Sequence, residues 1–428
     1  MTHFGILCPP FYGHLNPMAA LGRELQQRGH RVTIFLIPDI ESKVLAEGLE
    51  FWTIGKSDYP TGSLPQYLKQ LGKLSGLPAI QHWSKDNERM AGVMCREAPS
   101  ALKAAGVEVL LVDQMEVAGG TVAEFLGIPF ITICNALATN WEVGVPPTYT
   151  PWVYQQTWWA HLRNRAAFLL AQRTHQPVIA ILNEYRHQWQ LPVFKSNTDY
   201  FPASVLAQIS QQPASFDFPR QAPPGCFHYT GPFCESSPQM VPFPFERLTG
   251  QPLIYASLGT LVNLKRQIFH SIATACEGLD AQLVISLGAG SSVEDFQDLP
   301  GAPLVVEYAP QLELLKQAKM AITHAGLNTV LESLSNGVPL VAIPITFDQP
   351  GVAARVKWTG AGKVVPFARF STSKLRTAVQ QVLIQDSYSK SAAHLQETIS
   401  QAGRVKRGAD IVEKVAVTGQ PILSSEFR

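Results

Sequence analysis

Apolar residues fall in short continuous blocks separated by stretches with helical spacing. Residues 4–8 form one such block, and Pro9-Pro10-Phe11-Tyr12-Gly13-His14 turns away from it. A helical pattern follows. Asn16 suits an N-cap and Pro17 the first helical position, Leu21 and Leu25 keep the apolar face, and Gly29 closes the helix. Residues 32–36 then read as a buried strand. Strand, helix and strand in that order make the unit of a parallel sheet. The rhythm returns with a strand at 107–112, a helix at 117–125, a stop at Gly127 and a strand at 129–134.

From about 141 to 195 the rhythm is lost. This Trp-, Tyr- and Gln-rich stretch predicts an insertion of helices and loops. Nine prolines between Pro213 and Pro252 predict an extended linker. Apolar runs at 254–257, 283–286, 304–306, 320–323 and 338–343 restart the alternation, and the last hundred residues or so read as mostly helical. The pattern predicts an α/β protein with an N-terminal domain at 1–220, a linker at 221–252 and a C-terminal domain at 253–428. Two such domains imply a cleft, with ligands outside the carboxyl ends of the strands.

Charge narrows the function. Lys and Arg number 34 against 33 Asp and Glu, a net charge of +1, which excludes the basic excess of a nucleic-acid binder. Charged residues are 16% of the chain, against about 25% in a typical domain, so large buried interfaces or an apolar binding surface are expected. The six cysteines, at 8, 95, 134, 226, 234 and 276, form no C-x-x-C pair. Free thiols in a reducing cytoplasm are the reading, and the opening residues predict no secretory leader.

The densest candidate chemistry is the run from Thr323 to Glu332. A strand ends in His324-Ala325-Gly326, and Asn328-Thr329 opens a helix whose N-terminus is a phosphate site in waiting. Glu332, one turn on, could accept from sugar hydroxyls. Ser257-Leu258-Gly259-Thr260 is a second phosphate-like loop, and Gly288-Ala289-Gly290 a weaker echo. Asp348 and Gln349, after another strand, could bind adjacent hydroxyls; an Asp N-cap is the plainer reading. His14 stands just before the predicted helix, where the helix dipole would keep it neutral, as a general base requires. Asp113 ends the strand at 107–112 and would hold the His14 ring if the two strands lie close. Each feature also has an ordinary structural reading: a tight turn, a helix cap, a surface histidine.

Together these residues match a family. Tyr308-Ala309-Pro310-Gln311, His324-x-Gly326-x-Asn328-Thr329-x-x-Glu332 and Asp348-Gln349 resemble the nucleotide-sugar signature of UDP-glycosyltransferases. Within that superfamily the chain looks most like bacterial zeaxanthin glucosyltransferases, on residues 9–14, 112–116, 207–210, 256–261, 347–353 and 418–421. The resemblance implies the GT-B fold, two facing Rossmann-like domains, with the last helices packing back on the first. It implies an inverting transfer of glucose from UDP-glucose to a small, hydrophobic, hydroxylated acceptor, a xanthophyll such as zeaxanthin or else a polyphenol. A sugar-nucleotide epimerase and a UDP-binding protein without turnover are the alternatives from other classes.

The same resemblance distributes roles. His14 is the base and Asp113 its partner. Tyr308 replaces the family's stacking Trp on uracil, with Ala309 beside it, and Gln311 contacts ribose or uracil. His324 touches the diphosphate, supported by Gly326, Asn328, Thr329 and the loop of Ser257, Gly259 and Thr260. Glu332 binds ribose, and Asp348 and Gln349 bind the hexose. Leu327 stands where plant relatives carry Trp. With no Asp-x-Asp string, no metal or other cofactor is expected. Phe11, Tyr12, Met115, Trp141, Trp152 and Trp158 are the acceptor-side candidates. A monomer, with contact to the membrane surface where apolar acceptors dissolve, completes the expectation.

Overall fold

Each apolar run becomes a strand because it is buried on both faces, the condition of a parallel sheet covered by helices. The computed structural model describes residues 1–74, 77–195, 203–234, 241–259, 266–288 and 292–424. The first sheet holds β1 (His3–Leu7), β2 (Arg31–Leu36), β3 (Glu50–Thr53), β4 (Val109–Asp113), β5 (Phe130–Cys134), β6 (Gln208–Ser210) and β7 (Phe227–Tyr229), in the order β3-β2-β1-β4-β5-β6-β7. The second holds β8 (Leu253–Ser257), β9 (Gln282–Ser286), β10 (Leu304–Val306), β11 (Ala318–Thr323), β12 (Leu340–Ala342) and β13 (Gly362–Val364), in the order β10-β9-β8-β11-β12-β13. All their pairings are parallel. Both sheets reverse their winding beside their first strand, so each opens a crevice there. This is the GT-B architecture, α/β with two Rossmann-like units.

Two features depart from the sequence reading, and a third sharpens it. The first helix is Tyr12–Gln27, with Phe11 as its N-cap and Pro17 in its interior. The helical ladder begins at once after β1, because the Phe11 carbonyl accepts from both His14 and Leu15 N–H at 2.9 Å. Strand β7 lies within the stretch read as linker. The block Cys226-Phe227-His228-Tyr229 is free of proline, and as the edge strand it pairs only with β6. The 141–195 insertion is dominated by one 31-residue helix, Trp158–Gln188.

The chain crosses between units twice. The last helix, Arg404–Thr418, puts Val405, Ala409, Val412 and Val415 into the first unit's core. Arg28 on the first helix reaches Asp410 and Glu413 at 2.6 Å each. Gly408 is needed there: a Cβ would stand 2.8 Å from the Phe233 ring.

A buried charge network ties the crossing segment to the second unit. Asp217 accepts from Arg220 Nε and from Arg355 Nε, both at 2.8 Å, and from the Tyr229 hydroxyl at 2.8 Å. Burial alone would raise the Asp217 carboxyl, but the two guanidiniums hold it well below the usual range. Asp217→Asn removes the carboxylate facing two buried guanidiniums and should cost about 3–5 kcal/mol. Arg355→Met should cost less, because Asp217 keeps Arg220 and Tyr229. Urea unfolding of the two variants measures the order. A reversed order would mean that packing of Arg355 on Phe218, 4.3 Å from the ring centre, outweighs its charge.

Candidate active site

The first sheet's reversal sets β1 beside β4, with Leu7 level with Val112. His14, in the helix after β1, and Asp113, the last residue of β4, therefore meet. His14 Nδ1 lies 2.8 Å from Asp113 Oδ2, leaving Nε2 as the free ring nitrogen. Asp113 is fully buried and over-determined. Its Oδ1 accepts from the Met115 N–H at 2.8 Å and its Oδ2 from Asn135 Nδ2 at 2.6 Å. Gln211 Nε2 in turn donates to Asn135 Oδ1 at 2.9 Å.

Burial would lower the His14 pKa. The Asp113 charge and hydrogen bond, with Asp348 adding its field across the cleft, reverse that and raise it. The expectation of a histidine kept neutral by the helix dipole is corrected here: two carboxylates outweigh the dipole and the burial. Nearby, burial pushes the Glu116 carboxyl up to about 7.

The second sheet repeats the device. Strands β8 and β11 are neighbours, so the loops after them converge. His324 packs against both: a Cβ on Gly259 would stand 2.6 Å from its Cε1, and one on Gly326 2.5 Å from its Nε2. Gly259 also needs its φ of +68°, and Ala325 is held at +67° to present the ring. Burial pushes His324 down to about 4, so it is neutral and its one ring N–H can donate a hydrogen bond. The Ser257 hydroxyl accepts from the Gly259 N–H at 3.3 Å. Thr260 and the Ala289-Gly290 pair lie outside the described residues.

Helix Leu327–Ser335 starts after Gly326 with no acidic residue in its first turn, so its free N–H groups carry an uncompensated positive end. Thr329 lies in that turn. Glu332 is pushed up to about 7 by burial and accepts from Gln311 Nε2; Gln311 Oε1 accepts from the Tyr255 hydroxyl at 3.0 Å. Tyr308, beside Ala309, is exposed, and Tyr12 of the first unit lies close enough to raise its pKa along with burial. Asp348 makes no side-chain cap to the helix Gln349–Trp358, so its carboxylate is not spent as a helix cap. Gln349 Oε1 accepts from the Ile345 and Thr346 N–H groups at 2.9 Å, which fixes that loop.

Asn328 does something the sequence reading did not assign. Its Nδ2 donates to the Gly13 carbonyl at 2.7 Å, across the cleft. In a helix that carbonyl would accept from residue 17, but Pro17 has no N–H. The proline thus frees an acceptor one residue from His14, and the second unit takes it.

On the acceptor side the expected residues scatter. Phe11 stacks on Tyr67 at 6.3 Å, and Tyr67 on His82 at 5.0 Å. Trp141 instead stacks on Phe168 at 4.0 Å, and Trp152 lies under the Arg163 guanidinium at 4.3 Å. Trp158 faces outward. Asn135, Gln211, Tyr67 and His82 were not singled out in the sequence. The one signal for Asn135 is a polar residue just past the end of a buried strand. Among the described residues no group of three His, Cys, Asp or Glu side chains gathers as a metal site would.

Comparison with known proteins agrees with this geometry. The family profile described as UDP-glucoronosyl and UDP-glucosyl transferase matches residues 7–401. The chain is 37% identical to the zeaxanthin glucosyltransferase of Pantoea ananas, covering 99% of this chain and 98% of that one. It is 34% identical to the zeaxanthin glucosyltransferase of Pseudescherichia vulneris, covering 99% and 100%. Among solved structures, a calicheamicin glycosyltransferase shares the fold with a TM-score of 0.75 at 21% identity, over 98% of this chain and 100% of that one.

Two expectations follow. A general base works unprotonated, so the rate should climb as pH rises through the raised His14 pKa. Asp113→Asn removes the charge that raises it, so the acid limb of the pH–rate profile should move to lower pH while the maximum falls ~10²–10⁴-fold. An unmoved limb would show that another group titrates. Pro17→Ala and Asn328→Ala should each lower kcat/KM by roughly 2–10-fold, the worth of one hydrogen bond. The double variant should lose less than the product of the two, since both act on the Gly13 carbonyl. Full additivity in a double-mutant cycle would separate them.

Proposed function

The chain belongs to the family of UDP-glucoronosyl and UDP-glucosyl transferases and is a glycosyltransferase, and from that premise we propose that it moves glucose from UDP-glucose to a xanthophyll hydroxyl, as in zeaxanthin, with inversion at the anomeric carbon. The observation that carries the chemistry is the His14–Asp113 pair facing Asp348 across the cleft. His14 Nε2 takes the proton of the acceptor hydroxyl. The oxygen forms a bond to the anomeric carbon as the bond to the diphosphate breaks, and UDP leaves with the electron pair. Asp113 stabilises the imidazolium.

The donor is held by the second unit. Tyr308 stacks on uracil beside Ala309. Gln311 and Glu332 take the ribose hydroxyls. Neutral His324, the loop of Ser257, Gly259 and Thr260, Thr329 and the helix N-terminus after Gly326 stabilise the leaving diphosphate, which makes a metal unnecessary. Asn328 joins that helix end to the base's turn. Asp348 and Gln349 take the hexose hydroxyls. Phe11, Tyr12 and Met115 border the acceptor. The protein works as a monomer in the cytoplasm, at the membrane surface; no described helix is long and apolar enough to cross a membrane.

The acceptor reading is supported by the two relatives named zeaxanthin glucosyltransferases and by the aromatic wall begun by Phe11 and Tyr67. One observation favours a polyphenol instead. Within that wall the Tyr67 hydroxyl and His82 Nε2 are buried without a hydrogen-bond partner, and a second hydroxyl near the reacting one would satisfy them. Competing zeaxanthin in detergent against a flavonol, with UDP-glucose and excess EDTA, decides between the two. The expected product is zeaxanthin β-glucoside, read by mass and by the anomeric coupling in NMR. Efficient flavonol transfer with none to zeaxanthin would move the acceptor class. An α-linked product would remove the inverting mechanism, and loss of turnover restored by Mg²⁺ the metal-free one.

A further inference from the structure

The long helix Trp158–Gln188 is two different surfaces joined at Pro177. Its second half is anchored: Val178, Ile179 and Leu182 are part of the first unit's core. Its first half carries large apolar side chains to the outside. Trp158 is 77% exposed, Leu162 61%, Leu169 53% and Leu170 65%, with Trp159 at 45%. At ~100° per residue these five, with the exposed Arg165 and Arg173, fall within about 140° of the helix circumference. The opposite face holds the buried Ala160 and Asn164, and Phe168 stacked on Trp141. The exposed apolar side chains are therefore a continuous stripe, which a surface helix of a globular protein ordinarily turns inward.

Charge selects what covers it. No Asp or Glu occurs between Glu142 and Glu184, while Arg163, Arg165 and Arg173 lie on this half of the helix. Arg165 and Arg173 form no ion pair with another described residue. Arg163 lies over Trp152 and Trp159 at 4.3 and 5.3 Å, which stiffens the start of the helix. Tryptophans at one end, leucines along the stripe, Arg165 flanking it and Arg173 at its far end are the composition of a helix lying in a lipid headgroup layer. A protein partner large enough to cover the stripe would have to supply carboxylates in the same pattern, whereas an anionic phospholipid bilayer supplies phosphates everywhere.

We propose that the 158–173 face docks the protein on the surface of an anionic phospholipid bilayer. The evidence for this face is independent of the acceptor. Its use rests on the reading above, since a hydroxylated apolar acceptor is dissolved in that bilayer. Helix and aromatic loop are continuous: the Tyr149 hydroxyl donates to the Ala167 carbonyl at 2.8 Å, and Trp141 stacks on Phe168. The loop at 141–154 is thus carried between the docked face and the first unit.

Cosedimentation of the full chain with phosphatidylglycerol–phosphatidylcholine vesicles tests this, without either substrate. Binding should exceed that to pure phosphatidylcholine and fall with salt, as exposed charges are screened. Leu169→Gln/Leu170→Gln should lower the partition coefficient at least ~10-fold on both vesicle types. Arg165→Gln/Arg173→Gln should lower it ~25-fold on anionic vesicles only, about fivefold per arginine. Both variants should keep wild-type transfer to an acceptor held in detergent. Absence of vesicle binding by the wild type, or variants that bind like it, would overturn the proposal. So would a wild-type dimer in sedimentation velocity that Leu169→Gln/Leu170→Gln dissolves, because the stripe would then be covered by a second copy. Failure of zeaxanthin as acceptor with vesicle binding intact would overturn only the acceptor reading.

Discussion

The reversal of winding beside the first strand of each sheet is the constraint on which the site depends. Strands added outward in one direction from β1, then in the other from β4, leave the loops above β1 and β4 with no strand connection packed between them. His14 and Asp113 fill that gap in the first sheet. In the second, the same gap between β8 and β11 holds Ser257, Gly259 and His324. One topological device thus makes two half-sites, and their electrostatics are opposite. The first surrounds a histidine with carboxylates and raises its proton affinity. The second buries a histidine among glycines and lowers it. The same side chain is thus given opposite proton affinities by its surroundings alone.

Asp113 shows how firmly the partner of His14 is held. Its two oxygens accept from a backbone N–H, an Asn amide and the imidazole. Asn135 is itself held by Gln211, so the carboxylate cannot turn away when His14 changes charge. Glu116 is close, and burial pushes it up to about 7. A second full negative charge beside Asp113 is thereby reduced, and the field on His14 comes from Asp113 and Asp348.

The pair His14 and Asp113 was legible because each follows a run that could only be a buried strand. Asn135 was not, because its role depends on β5 lying next to β4, and an Asn past a strand end occurs in any turn. Pro17 was misread for a physical reason. Proline is favoured at a helix start because its missing N–H costs nothing there. In the interior it orphans the carbonyl four residues back, and here the donor that satisfies that carbonyl, Asn328, is 311 positions away in the chain. The aromatic residues of 141–159 were legible as apolar mass but not as individual roles. Which rings pack inward is decided by the phase of the helix that begins at Trp158, and that phase is set by its anchored second half. Strand β7 was hidden by the prolines on either side of it, which mark an edge as readily as a linker.

Contacts between the two units differ in kind. At Asp217 and Arg355 the join is a fully buried ion pair, and on the same helix a Cβ on Gly351 would collide with the Thr148 carbonyl. Separating the units there would strand charge and part close-packed backbone. Among the described residues, the join beside His14 is a neutral hydrogen bond, Asn328 to Gly13, with Tyr12 close enough to Tyr308 to act on its charge. Asn328 Oδ1, meanwhile, is buried without a partner, so the closed contact is itself incompletely satisfied. Breaking it frees an amide and a carbonyl that water can solvate at a net cost of about 1 kcal/mol. The weaker contact is the one that lies one residue from His14, so the geometry of the His14–Asp113 pair is tied to the join that costs least to break.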